Sequence, residues 1–258
     1  MTDTQPAHEG TAEYWESHWK RYAESTRLNP GQIYRRSLIF RLLSLNKNQA
    51  AHSKILDVSC GSGDMLEAIQ DRFPTIQLAG IDQSQSGLDI TCKNTPTALL
   101  KKVNLESPEP ADSELSNWAS HAVCSEVLEH VDNPVEVLKN IQSFLEPGGM
   151  IAITVPGGPR SAFDISIGHN MHYTPELIKD QLEQAGYDVE ISAGAGFPIF
   201  NLYRLVILLR GERLSDDIDG TPNLPARFAM AIFRAMMRFS FFSTPWGWQI
   251  IARARKPL

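Results

Sequence analysis

From residue 54 the chain alternates short apolar runs with stretches of helical period, and this alternation limits the fold more than any other feature. KILDV (54–58), IQLAGI (76–81), ALLKKV (98–103), AVC (122–124), GMIAITV (149–155), YDVEIS (187–192) and WQIIARAR (248–255) read as strands. Between them DMLEAIQDRF (64–73), SQSGLDITCK (84–93), PVEVLKNIQSFL (134–145) and TPELIKDQLEQAG (174–186) carry apolar residues at helical spacing. The last has a Thr N-cap, a first-turn Pro and a closing Gly. Strands separated by helices of about a dozen residues give βαβ units and a mainly parallel, doubly wound sheet. The predicted fold is therefore α/β, with a Rossmann-like seven-stranded sheet.

The remaining segments are expected to be additions to that sheet. Residues 1–48 carry clustered aromatics (Tyr14, Trp15, Trp19, Tyr22, Tyr34, Phe40) and read as an N-terminal helical cap. Residues 49–193 with 247–258 form the core. Residues 194–246 are too long for a hairpin and too apolar for a linker, and read as a helical insertion or lid. In PARFAMAIFRAMMRFSFF (225–242), Arg227, Arg234 and Arg238 are spaced to share one stripe of a helix that is otherwise apolar. Such a helix can lie on a membrane, line a pocket for a lipid-like ligand, or pack against the core or a second copy of the chain.

Net charge −6 gives no support to a general nucleic-acid binder. Cys60, Cys92 and Cys124 show no paired or zinc spacing, which suits free thiols in a reducing compartment. The polar opening MTDTQPAHEG lacks an apolar signal core, and no run is long enough to span a bilayer. A cytoplasmic protein is expected, with peripheral membrane contact through 197–245 as an option.

The turn in ILDVSCGSGDML (55–66) places glycines between a strand and a helix, where a ligand can approach the backbone. Asp82 ends the next strand, where an acid can accept both hydroxyls of a ribose. The third glycine of a dinucleotide fingerprint is missing, since Leu66 holds its place. Asp57 would repel a pyrophosphate but suits a sulfonium or ammonium group, so an adenosine with a cationic amino-acid tail fits best.

LDVSCGSGD, AGIDQS, CSEVLEHV and LEPGGMIAITVP together resemble the ordered motifs of class I S-adenosylmethionine (SAM)-dependent methyltransferases. The similarity runs over roughly 54–192 and the last strand, and is closest to the ubiquinone-biosynthesis O-methyltransferase-like group. It implies that Asp57, Ser59, Gly61 and Gly63 surround the methionine part of SAM, and that Asp82 and Gln83 hold the ribose. Asn104 to Glu106, Leu105 included, would lie beside the adenine, and Ser125 and Glu126 would face cofactor and acceptor. Arg35 or Arg36 would meet the SAM carboxylate. The chain departs from the family at Ser59, usually glycine, and at Ala119-Ser120, usually Phe-Asp; neither removes a ligand group.

Glu126, Glu129 and His130 stand at i, i+3 and i+4, and a helical turn there would put all three on one face. With His169 or His172 from GHNMHYTPE (168–176), which follows the fifth strand, they form a candidate site for Mg²⁺, Mn²⁺ or Zn²⁺. That set resembles the Glu-x-x-Glu-His plus distal His arrangement of metal-dependent methyltransferases. The alternative is that the turn merely holds loop backbone and that His130 or His172 acts as general base, with Glu126 beside it. The expected activity is methyl transfer from SAM to an oxygen of a small acceptor (aromatic, prenylated or otherwise apolar). Carbon, nitrogen and sugar acceptors stay open, as does a homodimer; a non-catalytic SAM-fold module is the least favoured reading.

Overall fold

The computed structural model describes residues 14–17, 19, 27, 29–107, 114–210 and 224–258. Its strands are β1 (Lys54–Val58), β2 (Gln77–Asp82), β3 (Leu99–Lys102), β4 (Ala119–Ser125), β5 (Leu145–Pro156), β6 (Asp188–Ala195) and β7 (Gln249–Arg255). They form one sheet of order β3-β2-β1-β4-β5-β7-β6. β7 runs antiparallel to both β5 and β6, while the pairs from β3 to β5 are parallel. The order reverses between β1 and β4, which opens a crevice at their carboxyl ends.

The helices are α1 (Pro30–Leu43), α2 (Lys47–Ala50), α3 (Asp64–Arg72), α4 (Gln85–Asn94), α5 (Pro134–Phe144), α6 (Ala162–Ser166), α7 (Pro175–Gln184), α8 (Ile199–Arg210) and α9 (Leu224–Met236). Alternate strand residues enter two separate cores, as the period of a strand requires. Leu56, Val58, Ala122, Cys124, Ile151, Ile153, Ile250 and Ala252 face the core closed by α5 and α7. Ile55, Val123, Ala152 and Ile251 face the one closed by α1, α3 and α8. Every strand read from sequence is present, but β4 begins three residues earlier than its apolar run and β5 four earlier.

One helical expectation needs correction, and one lies outside what the structure describes. α9 ends at Met236 and Arg238 lies in a 3-10 turn, Met237–Phe239, so the predicted three-arginine stripe is broken at its third member. Arg238 instead stacks its guanidinium over Phe239 at 4.9 Å. Tyr22 lies outside the described residues.

Phe144 is wholly buried at the end of α5 and joins the first core. Phe144→Ala is expected to lower unfolding free energy by about 3–5 kcal/mol, read from the midpoint of chemical denaturation at unchanged slope.

Candidate active site

The glycine turn is tied to the next two elements by side chains. Asp82, ending β2, accepts from Gly61 N–H and Ser84 N–H, both at 2.8 Å. Thr91 on α4 donates its hydroxyl to Gly61 O at 2.9 Å. Gly63 has φ +79°, and a Cβ there would lie 2.7 Å from the Thr91 side chain, so neither a left-handed penalty nor the space admits another residue. Ser59 takes φ +58°, at the position where the resembled family usually has glycine.

The N-terminal segment closes over this turn. The Trp19 ring packs on Gly61, where a Cβ would come within 2.3 Å of it. Glu16 accepts from Gln85 N–H and Ser86 N–H at 2.7 and 2.9 Å, capping α4. The hydrogen bonds from Ser86 and this helix end draw its carboxyl down to about 2. Trp15 stacks on Trp19 and meets His130 edge-on with ring centres 5.1 Å apart.

Of the other predicted cofactor residues, Asp57 is buried at the end of β1, Leu105 is buried, Gln83 is half-buried and Asn104 is exposed. Ser125 bonds Thr154 Oγ1 at 2.7 Å. Asn140 on α5, unmarked in the sequence, donates to Leu105 O at 2.8 Å and holds that loop. Burial raises the Asp57 carboxyl to about 8, and the charges of Asp82 and Asp64 add to it.

The turn after β4 differs from expectation. Glu126 has φ +57°, and only then does a 3-10 turn, Leu128–His130, begin. The left-handed residue swings Glu126 off the face shared by Glu129 and His130. Its oxygens are taken instead by Gln249 Nε2 at 2.8 Å and Arg35 at 2.8 Å. Glu126 is therefore corrected out of the clustered ligand set. Gln249 itself is wholly buried, also donates to Val155 O and accepts from Arg35 Nε at 3.0 Å. Arg36 turns away, 3.9 Å from Asp64.

Glu129, His130 and His169 do come together: one ligand atom from each lies within 4.8 Å of the others. The histidine loop is pinned beneath them by Asn170 N–H to Glu129 O at 2.7 Å and by Tyr173 Oη to Leu128 O at 3.0 Å. His130 Nδ1 pairs with Gly168 O and His172 Nδ1 with Gly158 O, so each carries its proton on Nδ1 and its lone pair on Nε2. His172 Nε2 then accepts from His169 Nδ1 at 3.2 Å, which leaves the His169 lone pair on Nε2 as well. Burial, then the neighbouring His130, holds His169 neutral, down to about 2. Burial lowers His172 too.

Glu129 is buried completely, and neither carboxylate oxygen has a hydrogen-bond partner among the described residues. Burial and the nearby Glu126 charge push its carboxyl well up. The loop is held by backbone bonds at Glu129 O and Leu128 O that do not involve the Glu129 side chain. Asp164, which the sequence reading missed, lies behind His169 and His172, 3.9 Å from each, in a bidentate pair with Arg204.

A methyltransferase-domain family model matches residues 32–191, well over half the chain. The chain belongs to the SAM-dependent methyltransferases. A ubiquinone biosynthesis O-methyltransferase of Pseudomonas entomophila is 28% identical over 234 residues, covering 82% of this chain and 90% of that one. Among solved structures, the [4+2]-cyclase SpnF shares the fold at a TM-score of 0.56 and 18% identity, over 86% of this chain and 80% of its own. An S-adenosylmethionine-dependent methyltransferase from Mesorhizobium loti shares it at 0.54 and 14%, over 84% and 96%. The methyltransferase match spans β1 to β6, that is, the glycine turn, Asp82, the Glu129 turn and the histidine loop.

The folded methyltransferase keeps Asp57 protonated at pH values where the unfolded chain has ionised it. Stability is therefore lost as pH rises from the ordinary carboxylate value of 3.8 toward about 8, and no more is lost above that. Asp57→Asn is expected to melt higher than wild type without ligand, with a gap that widens across this window and then levels. A thermal melt series from pH 5 to 9 reads it.

Proposed function

We propose that this methyltransferase transfers a methyl group to the hydroxyl of a small, apolar acceptor, with a divalent cation held by Glu129, His130 and His169. The observation that carries the reading is the buried Glu129 carboxylate, with no hydrogen-bond partner among the described residues, beside the imidazoles of His130 and His169. An unpaired buried charge is costly, and a cation is the partner that such a donor set fits. Two imidazoles and one carboxylate favour Zn²⁺ or a similar transition ion over Mg²⁺. When bound, the ion would polarise the acceptor hydroxyl and lower its pKa.

The chain's own residues supply the rest by placement. Asp57, the 59–63 turn and Asp82 would hold SAM against the carboxyl ends of β1 and β2, with Gln83 and Leu105 flanking the adenosine. Ser125 would stand between cofactor and acceptor. Trp15 and Trp19 would exclude water from above, so that transfer proceeds by proximity and alignment. Gly168 O and Gly158 O orient His130 and His172 through their Nδ1 protons. If the acceptor arrives without a metal, His130 remains the imidazole placed to take its proton.

The apolar acceptor is supported by exposed surface nearby. A pocket of about 510 Å³ is lined by Phe197, Trp246, Trp248 and Tyr173 together with Gly158, whose carbonyl bonds His172. The insertion helices present Leu205, Leu209, Phe228 and Ile232 to solvent, a face suited to an acceptor's apolar tail or to a membrane surface that delivers it. No helix among the described residues is long and apolar enough to cross a membrane.

Calorimetric titration of Zn²⁺ and Mn²⁺ into metal-free protein saturated with S-adenosylhomocysteine is expected to give one equivalent, lost in Glu129→Ala and kept in Glu126→Ala. A flat isotherm for wild type would reject the metal. With a labelled methyl donor and a panel of apolar phenols and amines, phenols are expected to be labelled. His130→Ala should cut their turnover about 10²–10⁴-fold while S-adenosylhomocysteine still binds.

A further inference from the structure

Asp164 and Glu129 are equally buried and flank the same histidine, yet their surroundings are opposite. Arg204 grips both Asp164 oxygens, Nη1 to Oδ1 at 3.0 Å and Nη2 to Oδ2 at 2.8 Å, and the two side chains are only 6% and 1% exposed. Oδ2 also accepts from the Ser161 N–H and hydroxyl, both at 2.7 Å, closing the capping box of α6. Its lone pairs are spent on a guanidinium and a helix end. Those of Glu129 are not.

The histidine tautomers do not fix the choice between the two acids, since moving the His169 proton from Nδ1 to Nε2 breaks its bond to His172 and turns both lone pairs toward Asp164. Asp164, His169 and His172 form a second group whose ligand atoms lie within 4.8 Å of one another, and it shares His169 with Glu129 and His130. Two overlapping donor sets around one imidazole offer an ion two seats. We infer that Arg204 withholds Asp164 from coordination and so confines a divalent cation to Glu129, His130 and His169. The inference rests on the metal reading above and makes Arg204 a positioning residue. Because Arg204 stands on α8, the seat of the insertion against the histidine loop decides where the ion sits.

The test uses Co²⁺ alone, titrated into metal-free full-length protein and followed by its visible absorption bands. Wild type and Asp164→Asn are expected to bind one equivalent with the same spectrum, since Asp164 is not a ligand. Arg204→Met should shift the bands or take up a second equivalent, and Arg204→Met with Asp164→Asn should restore the wild-type spectrum. A pair that only staples the fold would lower melting temperature in these variants without that reversal. Arg204→Lys, which keeps one charge but cannot engage both oxygens, should give a partial shift and replaces the methionine variant if that fails to fold. S-adenosylhomocysteine binding certifies each variant. A changed spectrum in Asp164→Asn, or an unchanged one in both Arg204 variants, overturns the inference while leaving the metal reading intact. Absence of Co²⁺ binding by wild type overturns the metal reading, and the inference with it.

Discussion

A sheet covered on both faces leaves its ends as the open places for chemistry, and the placement of the acids at the candidate site follows from that. Strand residues alternate between two apolar cores, so a charged side chain within β1 or β4 would be buried without a partner. The acids therefore sit at carboxyl ends: Asp57 at the close of β1, Asp82 at the close of β2, Glu126 and Glu129 just past β4. The reversal of strand order between β1 and β4 sends their following chains to opposite sides and opens the crevice these groups line.

Within that crevice burial raises the Asp57, Asp82 and Glu129 carboxyls, and the grip of an arginine reverses this at Asp164. Burial would raise Asp164, but the hydrogen bonds and charge of Arg204 hold it well below the ordinary range. Glu126 meets Arg35 and Gln249. Glu129 has no hydrogen-bond partner for its carboxylate among the described residues, and burial, with the Glu126 charge, pushes its carboxyl up. On the metal reading proposed above, Glu129 beside His130 and His169 is the acid that would take a cation, because among the described residues no hydrogen bond answers it.

Much of the fold could be read in advance because strand and helix periods depend on burial, which the apolar pattern records directly. The glycine turn was equally legible, since φ values such as the +79° of Gly63 leave few residue choices. β4 and β5 were read short because their first residues are pulled into the ladder by neighbours, Ala119 opposite Leu145, rather than by their own apolar character. Glu126 misled for a related reason. Spacing of i, i+3, i+4 brings side chains together only if the helix has begun, and one left-handed residue before the 3-10 turn cancels it.

Local order in the chain thus determined the alternating architecture, the glycine turn, the acid after it, and the two short pairs Glu129 with His130 and His169 with His172. These are properties of period, backbone freedom and short sequence separation. Tertiary structure alone brought the two pairs together and decided which acids meet an arginine. Arg35 reaches Glu126 from α1 and Gln249 reaches it from the last strand, Trp15 meets His130 and Trp19 meets Gly61 from near the N-terminus, and Arg204 reaches Asp164 from the insertion. Those contacts join residues 40 to 123 positions apart, a separation at which no periodicity carries information and only the closure of the fold assigns a charge its partner.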